Sequence, residues 1–184
     1  MPERYAPFDP EALPAEARAV HDRILGERGY IPGPYFYWLA APGFTDRMEP
    51  IEKYLRYEVS FEERIVEVAV LAIARHWRAR YVWTSHAPAA VKAGVDAAIV
   101  EAIRIGAAPV FARQDEAACF AFCRALVGGN EVDDALWART RDIFGERGIA
   151  EIMGLIGLYS AVCATMVAYR VPTKGGEPDP FASA

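Results

Sequence analysis

The chain has 184 residues, 53% of them hydrophobic, and a formal net charge of -5. That length is most simply one domain over residues 1–184 with enough apolar side chains for a substantial core. Acidic and basic residues are well mixed, which leaves no basic footprint for nucleic acid. The longest apolar runs are broken by Glu67, Glu151 and small residues before roughly 18 positions, so no segment is predicted to span a membrane.

Residues 1–13, rich in proline and charge and without the basic-then-apolar pattern of a secretory signal, are predicted to form an extended arm, and a cytoplasmic location follows as the expectation. Pro14-Ala15-Glu16 opens a helix to about Gly26, and residues 29–34 form a loop. A short aromatic segment, Tyr35 to Ala40, precedes the break Pro42-Gly43. From Phe44 to about Glu58, Met48, Ile51, Leu55 and Val59 recur at helical spacing. Ser60-Phe61-Glu62-Glu63 has the form of a capping box and starts a central helix ending near Trp77 or Arg78.

A second helix follows closely and stops at Gly94. Asp96 caps a short helix to about Ile105, another runs from about Arg113 to Val127, and Asp133 or Asp134 caps one to about Phe144. The last helix, Gly148 to Tyr169, is apolar on all sides, with Gly154, Gly157, Ala161 and Ala164 permitting close approach of a neighbour. A polar tail spans residues 174–184. No alternating run of strand length appears, so the fold class is all-α. The apolar last helix and upstream aromatics point to a homo-oligomer. Cys119, Cys123 and Cys163, an odd number in apolar surroundings, read as reduced core residues.

One residue in this pattern carries chemical information. Glu67 is the lone charge inside Ile65-Val66-Glu67-Val68-Ala69-Val70-Leu71-Ala72-Ile73-Ala74. A buried carboxylate needs a hydrogen-bonded partner or stays protonated. His86, on the next predicted helix, is the nearest suitable partner downstream. Imidazole takes or gives a proton near neutral pH, with an ordinary pKa of about 6.5. Glu67 either orients that ring or, kept protonated by burial, serves as an acid itself. The other two histidines, His21 and His76, share no ligand spacing with it, so no metal site is expected.

The chain resembles the carboxymuconolactone decarboxylase-like proteins, which include the alkyl hydroperoxidase D type. The likeness covers most of the chain and rests on Pro32-Gly33-Pro34, Ala41-Pro42-Gly43, Glu67 ahead of Ala72-Ile73-Ala74-Arg75, Tyr81-Val82-Trp83-Thr84-Ser85-His86, and Lys92-Ala93-Gly94-Val95. In the peroxidase branch the motif runs glutamate, eleven residues, cysteine, two residues, cysteine, three residues, histidine; here those positions hold Glu67, Ala79, Val82 and His86. Without the two cysteines, thiol peroxidase activity is disfavoured. The decarboxylase branch, which keeps the histidine without the cysteines, is the closer likeness. Val82 and Ala87 stand where that branch often has acids, which argues against carboxymuconolactone itself as substrate.

The resemblance implies an obligate homo-oligomer, a dimer, trimer or hexamer, of the alkyl hydroperoxidase D-like type. It implies a cofactor-independent lyase acting on a small cyclic or carbonyl-bearing acid, with His86 and Glu67 as catalytic residues. Tyr35, Trp38, Tyr81 and Trp83 are candidate walls for the substrate or simple core aromatics, and Arg80 is a candidate partner for its carboxylate or a solvated helix-end cation. Isomerase, dehydratase or cyclase chemistry would use the same equipment. A non-catalytic oligomeric ligand-binding protein is the competing class. No cofactor, nucleic acid or membrane partner is expected.

Overall fold

The computed structural model describes Arg4, residues 9–129 and residues 131–182. Most of the arm expected over residues 1–13, and the last two positions of the tail, lie outside the described residues. The chain's contacts gather into two compact units, residues 1–54 and 55–184, with the boundary inside a helix. All the regular structure among the described residues is helical.

The first unit holds α1 (Ala15–Arg28), the single turn α2 (Tyr35–Trp38) and most of α3 (Pro42–Tyr57). Gly29, not Gly26, ends α1, because Gly29 is the residue that turns left-handed, with φ 75°. Pro42 does not interrupt the chain as a break but stands first in α3, where a missing N–H costs nothing.

The second unit is built around α4 (Glu63–Trp77), in which every residue from Arg64 to Ala74 is buried. Around it pack α5 (Arg80–Lys92), α6 (Ala97–Ile105), α7 (Gln114–Val127) and α8 (Asp134–Ala168). Arg78, left-handed at φ 49°, closes α4 and reverses the chain into α5 with only Ala79 between. Asp96 and Asp133 cap α6 and α8 through their side chains. As expected after Asp133, α8 consists of two helical segments, which meet at Gly145, whose φ of 66° and ψ of 178° interrupt the helix. Gly154 does allow a close approach: a Cβ there would stand 3.0 Å from Leu55 Cδ2. By length and composition α8 is apolar enough to cross a membrane, and half of its most apolar stretch is buried inside the structure.

Two local expectations are corrected. Ser60 does not cap α4; its backbone N–H and hydroxyl both donate to Glu151 Oε2 of α8, at 2.8 and 2.6 Å, and Glu62 takes the cap position without capping the helix amides through its side chain. A partner 91 residues away outcompetes the local box. The tail after Lys174 is not simply solvated either. Phe181 is buried edge-on to Trp83, with ring centroids 5.4 Å apart, and the Arg75 and Arg78 guanidiniums lie over its ring. Arg78 donates to the Phe181 carbonyl and Arg104 to the Pro180 carbonyl.

Candidate functional site

Glu67 and His86 meet. The Glu67 side chain has no exposed surface, and its Oε2 lies 2.8 Å from His86 Nδ1. The short reversal at Arg78 makes this possible, since it lays α5 against α4 and brings the two residues together across that interface.

Two residues that the sequence did not single out complete the cluster. Arg56, near the end of α3, donates from Nη1 to Glu67 Oε1 at 2.8 Å and to the Tyr159 hydroxyl at 3.2 Å. Tyr159, from α8, also meets the His86 ring edge-on, with centroids 5.3 Å apart and an interplanar angle of 88°. Arg56 was visible only as one arginine among several on the border of an apolar stripe. Tyr159 lies in a helix apolar on every side and looks like any core aromatic.

Protonation follows from the contacts. Burial alone would raise the Glu67 carboxyl, but the hydrogen bond and charge of His86, and then those of Arg56, outweigh it and hold the group below its ordinary value of 4.5. Glu67 is therefore an ionised acceptor, not a protonated acid. A carboxylate can only accept, so the contact at Oε2 assigns a proton to His86 Nδ1 and leaves Nε2 as the basic nitrogen of the neutral ring. Arg56 Nη1 also stands 3.3 Å from Nδ1, as two donors side by side aimed at one carboxylate. His86 Nε2 has no hydrogen bond among the described residues, and the His86 side chain keeps 16% of its surface exposed while Glu67 keeps none.

The remaining candidates are placed elsewhere. Tyr35 and Trp38 belong to the first unit, where both are buried and stacked at 5.5 Å, and the Tyr35 hydroxyl donates to Glu52. Trp83 is buried against Phe181. Arg80 donates to the carbonyls of Val171 and Arg170 at 3.0 and 3.1 Å, so its guanidinium anchors the chain after α8. Tyr81 is half-buried beside it, in a cleft lined also by Met166 and Val167. Thus of the seven candidates Glu67 and His86 meet in the cluster, while Tyr35 and Trp38 contact each other in the first unit.

Cys119, Cys123 and Cys163 are free and buried. A hydrogen bond with Cys123, and then burial, push the Cys119 thiol well above its ordinary range, and burial does the same to Cys163. The motif positions Ala79 and Val82 are buried apolar residues.

No protein-family model matches this chain, and no curated protein matches it.

Proposed function

We propose that this protein is a cofactor-independent enzyme of the carboxymuconolactone decarboxylase-like type, moving protons on a small carbonyl-bearing or cyclic acid through His86. The observation that carries this reading is the 2.8 Å bond from His86 Nδ1 to a fully buried, ionised Glu67, with Nε2 left unbonded on a partly exposed ring. A carboxylate behind one nitrogen fixes the tautomer and ring orientation and leaves the other nitrogen for substrate. Arg56 neutralises the carboxylate, so the cluster holds its geometry without an isolated buried charge.

The chemistry balances without a further reactant. In decarboxylation, the bond from carbon to the carboxylate breaks, its electron pair enters the conjugated carbonyl as a dienolate, and carbon dioxide leaves. Protonated His86 then delivers the Nε2 proton to carbon and is reprotonated from water. In isomerisation, neutral Nε2 removes a proton beside the carbonyl and returns it at another carbon. A second copy of the chain would cover the exposed Trp137, Ile143, Met153 and Val167 of α8, which supports a homo-oligomer.

The test has two parts. Lactones and keto acids are incubated with wild type and His86→Ala, and product mass separates loss of carbon dioxide from isomerisation. The same compounds in deuterium oxide report exchange of their acidic C–H protons by NMR. The reading expects turnover or exchange in wild type and its loss in a folded His86→Ala. Equal exchange in both proteins would overturn it.

A further inference from the structure

A second cleft lies in the same unit, between the end of α4, the end of α6 and α7, with a volume of about 340 Å³. It shares no lining residue with the Glu67 cluster. Its lining holds three guanidiniums, those of Arg75, Arg78 and Arg124, and no carboxylate. The opposite wall is apolar, with Ile103, Phe120 and Val127.

Arg75 is the centre of this cleft. The arginines whose side chains are largely buried elsewhere face acids: Arg28 has Glu49 and Glu52, Arg56 has Glu67, and Arg64 has Glu62, Asp115 and Glu116. Neither Arg75 nor Arg124 pairs with a carboxylate among the described residues, and Arg75 Nε is buried with no hydrogen-bond partner. The Arg75 guanidinium is nonetheless held in place. The ring of Phe181 lies under it at 5.5 Å, and on another side it crowds Gly106, where a Cβ would stand 2.9 Å from Nη2. Gly106 is at φ +78°, so this glycine both ends α6 in the left-handed region and makes room for the cation. Burial, and then the charges of Arg78 and Arg104, push the Arg75 guanidinium below its ordinary value. A fixed cation among like charges with no acid of its own lacks a negative group that a ligand can supply.

We propose that this cleft binds a small organic oxyanion, a carboxylate or phosphate monoester, with its charged end on Arg75, Arg78 and Arg124 and its apolar body against Ile103, Phe120 and Val127. The apolar wall continues toward a groove of about 430 Å³ that Phe120 and Arg124 also line, together with Phe111 and Pro109, which gives room for a hydrocarbon chain. The site is separate from the proton-transfer reading and stands or falls without it.

The test is calorimetric titration of the full chain with octanoate, octyl phosphate and inorganic phosphate. Wild type is compared with Arg75→Met, Arg124→Met and, as a charge control on an exposed position, Arg139→Met. The site predicts that at least one of the two octyl compounds binds more tightly than inorganic phosphate, and which one binds identifies the head group. Each cleft substitution should weaken that binding by about tenfold or more, while Arg139→Met leaves it unchanged. Free Arg75→Met should melt no lower than wild type, because it removes a cation without a counterion, and Arg124→Met carries the test alone if Arg75→Met fails to fold. Binding that all three variants retain or lose equally would overturn the proposal, as would binding of inorganic phosphate alone or of none of the probes.

Discussion

Two buried charge clusters in this chain are built from nearly the same parts and differ in one group. In the first unit Arg28 reaches Glu49 at 2.7 Å and Glu52 at 2.6 Å, and the Tyr35 hydroxyl donates to Glu52 at 3.1 Å. In the second unit Arg56 reaches Glu67, a tyrosine again bonds within the cluster, and His86 takes the carboxylate's other oxygen. Burial and the Glu52 charge raise the Tyr35 phenol far above its ordinary range, so that phenol keeps its proton near neutrality. Around Arg56 an imidazole does the same bonding work and keeps a second nitrogen unbonded. A buried acid with an arginine is therefore a packing device; its third partner decides whether the cluster can do chemistry.

The largest expected effects separate these roles. His86→Ala should lower proton exchange or turnover at least about a hundredfold, the usual contribution of a general acid or base. Its stability should fall less than that of Arg28→Met, since the buried Glu67 loses one partner and keeps Arg56. Arg28→Met should show the reverse pattern, a loss of about 3–5 kcal/mol of stability from stranding buried carboxylates, with exchange per folded molecule unchanged. Urea denaturation followed by circular dichroism, beside the NMR exchange assay, reads both. If folded Arg28→Met loses exchange as His86→Ala does, the contrast between a structural and a chemical cluster is wrong.

The legibility of these features in the sequence followed the range of the interactions. Helix positions were clear where they depend on near neighbours, as in the apolar spacing of α3 and α4 and the aspartate caps of α6 and α8, whereas the end of α1 falls at Gly29 and not at Gly26. Glu67 stood out because it is the lone charge in an apolar run, and His86 followed as its nearest suitable partner downstream, at a position that the family likeness also marked. Arg56 and Tyr159 were not legible, since choosing them among many arginines and core tyrosines requires knowing that these two residues meet beside Glu67. Ser60 was misassigned for the same reason, its partner Glu151 being remote in sequence. Phe181 was hidden by the polar residues around it, although Trp83 and two arginines hold it in place.

Glu67→Gln sharpens the comparison through pH. The folded-state carboxyl is held below 4.5, so it contributes stability that is fully present above its unfolded pKa and is lost as pH falls through the depressed folded value. Wild type should therefore exceed Glu67→Gln by about 3 kcal/mol near neutrality, the cost of leaving Arg56 without its counterion, and the gap should close in acid. Asp115, depressed by its bond to Arg64, titrates in the same direction in both proteins, so only their difference isolates Glu67. A gap that stays constant from neutrality to acid would mean that Glu67 is not ionised in the fold.

The smallest effect tests whether Tyr159 belongs to the chemistry or only to its support. Tyr159→Phe keeps the edge contact with the His86 ring and removes only the oxygen that accepts from Arg56, so it should cost about 1.5 kcal/mol, the scale of a hydrogen bond to a charged group. Arg56 retains Glu67, and the imidazole retains its carboxylate, so exchange should fall far less than in His86→Ala. A loss as large as that of His86→Ala, with the fold intact, would place the phenol on the proton's path. The chemical difference between the two clusters would then lie in how the tyrosine is used as well as in the histidine.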